Sequence, residues 1–214
     1  MEVLKSHNFV PCEGGEHAIA DQYMFAYLVL GKTAMEQGNV EKALELFREG
    51  QILPQSTGAG IWNHCKRIPL KYHEACCLEA LGQKAEADEI FTYIANVTIE
   101  YFSNMHLKEL PYYQAMAWNR LGQPMKGQHL ITKYLRAWSE IDKVKDNGFF
   151  QTTPFFISFV DEPARLRKAH HLYLNALCHA YMGTGKAEDM MEESLALNND
   201  VLFATFFASF GFLK

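Results

Sequence analysis

Seven prolines among 214 residues, and no stretch of low complexity, leave little room for long disordered tracts. Positive charge is not in excess either: 20 Lys and Arg stand against 25 Asp and Glu, for a net charge of −5. A nucleic-acid binder usually carries the opposite sign, because neutralising phosphates dominates its affinity, so no nucleic-acid partner is expected. Cysteine is sparse and odd in number: Cys12, Cys65, Cys76, Cys77 and Cys178. Such a set, with an adjacent pair inside a helical pattern, is not a disulfide framework, and free thiols point to a reducing, cytoplasmic setting. The longest apolar run, residues 201–213, falls short of the ~18 residues a membrane helix needs. Residues 1–10 lack the basic-then-apolar order of a signal peptide, so no membrane partner is expected. There is no G-x-S-x-G, H-E-x-x-H, P-loop or dinucleotide fingerprint, so no residue is assigned a catalytic role and no cofactor is expected.

What the chain does have is apolar side chains at helical spacing. In residues 21–54, Tyr23, Tyr27, Leu30 and Ala34 make one face of a first helix. Gly38 suits a left-handed helix end and Asn39 can cap the next start. Val40, Ala43, Leu44, Phe47 and Gly50 then line one side of a second helix, with Glu41, Lys42, Glu45, Arg48 and Glu49 on the other, before Pro54 stops it. The same order recurs in residues 72–91, broken at Gly82, and in residues 112–131, broken at Gly122, where Pro124 fits the first turn of a helix. It returns in residues 172–197, broken around Gly183 to Gly185 with a turn that reads as shortened. Four hairpins in series predict an all-α protein, a solenoid in which each hairpin needs a neighbour to bury its outer face.

Leu30, Gly31, Gly38, Ala43 and Phe47 resemble the tetratricopeptide repeat, and Ala75, Gly82, Ala87 and Phe91 follow it. Ala115 and Gly122 continue the pattern, with Gly127 and Ile131 in place of the usual Ala and aromatic, and SLALNN ends the fourth unit in its manner. The order PCEGGE, LPYYQAMAWNRLG, FFQTTPFFISFVDEP and HHLYLNALCHAYMG is also similar to one bacterial family. There a tetratricopeptide region forms the C-terminal part of a larger protein, whose N-terminal domain of unknown function resembles the galactose-mutarotase fold. The resemblance implies a right-handed α-solenoid spanning residues 1–214 as a single domain, and a native protein that starts upstream of Met1. It implies a non-catalytic interaction or scaffolding role. The alternative is an accessory domain docked on a carbohydrate-active domain of the same polypeptide. The partner is then a protein or peptide, or that N-terminal domain.

In tetratricopeptide proteins the first helix of each pair lines the concave surface. That register places Lys32, Glu36, Tyr72, Glu79, Tyr112, Asn119, Arg120, Asn175 and His179 there as exposed binding residues, a mixed polar and aromatic set suited to a peptide or protein surface. Residues 1–17 read as an entry linker, with Glu13 and Glu16 flanking a Gly-Gly but no sugar pocket between them. Residues 146–164 carry Phe149, Phe150, Phe155, Phe156 and Phe159 without helical period, and read as an inserted apolar arm. The arm either fills a local core gap or lies in the ligand groove. Residues 200–212 are expected to form a capping helix, with Phe203, Phe206, Phe207 and Phe210 at helical spacing. His64, Cys65, His73, Cys76 and Cys77 cluster in sequence, but without a second pair at ligand spacing no metal site is expected. Arg165, Arg167 and Lys168 before His170 and His171 read as a solvated helix start rather than a phosphate site.

Overall fold

A computed structural model describes residues 2–10, 18–58, 64–98, 108–141 and 163–213. It contains helices α1 (Glu2–Ser6), α2 (Ala18–Glu36), α3 (Val40–Glu49), α4 (Ile68–Ala80), α5 (Lys84–Asn96), α6 (Leu110–Arg120), α7 (Pro124–Ile141), α8 (Pro163–Met182), α9 (Ala187–Leu197) and α10 (Leu202–Phe210). Among the described residues there is no strand, and no helix is long and apolar enough to cross a membrane. The motif PCEGGE and nearly all of the expected apolar arm lie outside the described residues. The chain divides into two compact units, Met1–Gly127 and Gln128–Lys214.

In the first unit each helix from α2 to α5 packs on the next, and α4 also meets both α2 and α6. The chain can reverse between paired helices because each break is the same hydrogen-bonded cap. The N–H groups of Gly38, Gly82 and Gly122 donate to carbonyls three residues back. The following Asn39, Gln83 and Gln123 donate to carbonyls five residues back, at 2.8–2.9 Å. This is the Schellman arrangement, which puts its glycine in the left-handed region, here at φ between 71° and 77°. Asn39 then caps α3, its side chain accepting from the Lys42 N–H at 3.2 Å.

The signature residues of the first pair are a packing device. A Cβ on Gly31 would lie 2.6 Å from the Cδ1 and Cζ atoms of Phe47, so only glycine lets α2 close onto that ring. Phe47 is fully buried, with the His73 ring of α4 stacked on it at 5.3 Å. Polar ties fix how successive pairs meet. Glu74 on α4 accepts from Arg48 Nε and Gln51 Nε2, both at 2.8 Å. Gln114 on α6 donates to the carbonyls of Ile94 and Val97 at the end of α5, at 3.2 and 2.7 Å. Both side chains sit eight residues before a turn glycine, one replacing the other in the same register.

The entry segment differs from its expected linker form. Residues 2–6 form a helical turn anchored by Lys5 Nζ to Glu49 at 2.7 Å, and the Phe9 N–H donates to the Ser56 carbonyl. Glu49 also accepts from the Tyr27 hydroxyl, so a second-helix carboxylate holds both the chain start and the core.

In the second unit α8 packs on α9 and α9 on α10. Ser194 Oγ donates to the Ala169 carbonyl at 2.6 Å, and Cys178 lies against the Ile131 carbonyl of α7. The basic residues at the start of α8 are put to structural use. Arg165 donates to the Leu197 carbonyl at the end of α9, and Lys168 pairs with Glu193, both at 2.8 Å. Residues 202–210 form the expected last helix, burying Ala204, Phe206 and Phe207 while Phe203 and Phe210 stay half-exposed.

The fourth turn corrects the sequence reading. It is not shortened: residues 183–186 separate the helices, where residues 37–39, 81–83 and 121–123 do so elsewhere. Gly183 and Gly185 both have positive φ, but the Gly183 and Thr184 N–H groups make the helix-ending bonds, to Ala180 and His179. The difference lies in α9. Its buried small residue, Ala187, opens the helix, whereas Ala43 and Ala87 sit a full turn into α3 and α5.

Candidate functional site

Counted back from the turn glycine, the positions ten, six, three and two residues before it on α2, α4 and α6 share one face. Ten residues before it stand Leu28, Tyr72 and Tyr112, and all three are about 1% exposed. Tyr72 and Tyr112 are therefore not the exposed binding residues expected of them. Tyr72 packs edge-on to Phe91 at 5.5 Å and to Tyr113 at 5.6 Å, so the aromatic row seals the layer beneath the face. Burial drives the Tyr72 hydroxyl well above its ordinary pKa.

Six residues before the glycine come Lys32, Cys76 and Met116. Cys76 and Cys77 both fall where a tetratricopeptide-like pattern calls for small buried residues, yet Cys77 is fully buried and Cys76 half-exposed. The α-helical period turns adjacent residues ~100° apart, which sends one thiol to the core and the other to the face. Burial pushes the Cys76 thiol up to about 11, with the charge of Arg120 pulling the other way, so it is no activated nucleophile at neutral pH. Among the described residues no three His, Cys, Asp or Glu side chains converge as metal ligands.

Nearest the turn are Glu79, Asn119, Arg120 and Glu36. Arg120 Nη1 of α6 pairs with Glu79 Oε2 of α4 at 2.7 Å, each side chain 31% exposed, and the guanidinium also hydrogen-bonds Tyr72. Glu36 and Asn119 are exposed, and Lys32 is half-buried, close enough for its charge to act on Cys76. Arg120, Glu79 and Lys32 thus stand close enough to act on Cys76, and Glu36 and Asn119 share the helices that carry them. The signal for Cys76 was its place in register with Lys32.

Asn175 and His179 belong elsewhere. Taking Gly185 as the turn glycine shifts the fourth unit by two residues, and Gly183 restores Tyr173 and Leu177 to the positions of Tyr72 and Cys76. Both are fully buried. Asn175 instead occupies the register of Glu74 and Gln114 and is 7% exposed. His179 faces its own turn, with Nδ1 2.8 Å from the Thr184 hydroxyl oxygen.

No family model matches this chain, and no solved structure matches it. The local geometry therefore carries the reading: a face bearing Lys32, Cys76, Glu79 and Arg120 over a sealed aromatic layer.

Proposed function

We propose that this chain is a tetratricopeptide-like binding scaffold. In it helix hairpins build a right-handed α-solenoid, and the face bearing Lys32, Cys76, Glu79 and Arg120 receives a protein or peptide without catalysis. The observation that carries the reading is the Arg120–Glu79 pair joining α4 to α6 beside Lys32 and Cys76 on the side of the first helices. The identical caps at Gly38, Gly82 and Gly122, and the approach of α4 to both α2 and α6, support the repeat architecture. A mixed polar surface on rigid helices suits a protein ligand, whether a separate chain or another domain of the same polypeptide.

Exchanging the charges of half-buried Lys32 and exposed Glu36 tests the surface. With Lys32→Glu and Glu36→Lys together, a partner enriched on the wild-type protein from cell extract should fall by about tenfold or more, at unchanged melting temperature. Identical partner profiles for both proteins would reject the surface. The architecture is tested by solution scattering. A compact 214-residue sphere has a radius of gyration of about 17 Å, and a solenoid should exceed it clearly.

A further inference from the structure

The second unit holds a surface that the binding reading does not use. Between α9 and α10 lies an open groove of about 370 Å³. Its floor is apolar: Met191 and Leu195 come from α9, Phe207 from α10, and Phe212 from just beyond, its ring stacked on Phe207 at 6.2 Å. Its rim carries Glu188 and Glu192, one turn apart on α9 and both exposed. That helix, AEDMMEESLAL, holds four acidic residues and no basic one. Lys168 neutralises Glu193, but among the described residues neither Glu188 nor Glu192 has an ion-pair partner. Like charges one turn apart repel, and although Glu188 gains from the helix N-terminus, Glu192 lies beyond the first turn where that benefit fades.

We propose that this groove docks a segment of a partner protein presenting one large apolar side chain flanked by lysine or arginine. The volume is at the low end of the ~300–1,000 Å³ typical of ligand sites, enough for a side chain or two and not for a whole helix. The apolar floor selects the anchor. The unneutralised rim selects its flanks, since a basic segment relieves the Glu188–Glu192 repulsion while an acidic one adds to it. The occupant is thus chosen by charge as well as by shape, and the site stands whether or not the first unit binds anything.

The test uses the full chain with methyl-labelled methionine and two short amphipathic peptides, one of Leu and Lys, the other of Leu and Glu. The Leu/Lys peptide should shift the Met191 methyl signal while leaving Met24 and Met116, buried in the first unit, unmoved. Its affinity should weaken with salt, and drop by about tenfold or more in Glu188→Lys with Glu192→Lys. Ala208→Trp, which fills the groove from an exposed position, should abolish binding without changing the melting temperature. Equal binding of the Leu/Glu peptide, a silent Met191, or wild-type affinity in both variants would overturn the proposal. So would self-association that Ala208→Trp removes, because the occupant would then be a second copy of this chain.

Discussion

Replacing Gly31 by alanine sets two effects of opposite sign against each other. Alanine is favoured over glycine inside a helix by ~1 kcal/mol, so propensity alone predicts a more stable protein. The new methyl, however, would sit 2.6 Å from two Phe47 ring atoms. The ring cannot swing aside, being fully buried with His73 stacked at 5.3 Å and an interplanar angle of 21°. Overpacking of this kind costs about 1–3 kcal/mol, and a ring held by its neighbours belongs at the upper end. The expected net loss is about 1–2 kcal/mol, read as a lower urea midpoint at constant slope. It corresponds to a fall of roughly 2–8 °C in melting temperature for a domain of this size. Phe47→Leu on the Gly31→Ala background should cost less than on the wild type, with a coupling of about 1 kcal/mol or more. Gly82→Ala should also destabilise, by about 1–2 kcal/mol, because its φ is +77°. Nothing lies within 4 Å of its would-be Cβ, so no packing partner should rescue it. A raised melting temperature in Gly31→Ala, or strict additivity with Phe47→Leu, would refute the close-packing argument.

Burial holds His73 neutral, its pKa lowered from 6.5 to about 3. Below 6.5 the unfolded chain takes up a proton that the folded chain refuses, so stability should be lost as pH falls from about 6.5 towards 3, by at most ~1.4 kcal/mol per unit. Urea unfolding from pH 7.5 to 5 should show this slope flattened in His73→Leu, the residue that Leu174 supplies in the same register; an unchanged slope would place the titration elsewhere. Truncation after Asn199 removes two fully buried rings, Phe206 and Phe207, worth about 3–6 kcal/mol of burial. Since a domain has only ~5–15 kcal/mol in hand, the shortened chain should aggregate or partly unfold. A monomer with unchanged melting temperature would show that α10 contributes little to the second unit.

Residue order alone determined the helices of the hairpins and the last helix, though not α1, and three of the four turns, because these rest on local physics. Apolar residues three or four apart define a helix face, and a lone glycine between two such faces can end one helix in a left-handed cap. At Gly183-Thr184-Gly185 the local rule had two answers. Both glycines adopt positive φ, and the choice shows in which residues of α8 are buried, with Tyr173 and Leu177 rather than Asn175 and His179 in the inner-face positions. Exposure along the inner face was likewise beyond local reading. Helical period puts Tyr72, Cys76 and Glu79 on one side of α4, yet the first is sealed, the second half-exposed and the third in an ion pair. That gradation depends on Tyr113 and Arg120 of α6 and Phe91 of α5, which lie 19 to 41 residues along the chain from the Tyr72 and Glu79 side chains they meet. A helix period is set by bonds within one turn, but burial is set by whichever side chains other helices bring across, and only the packed structure decides that.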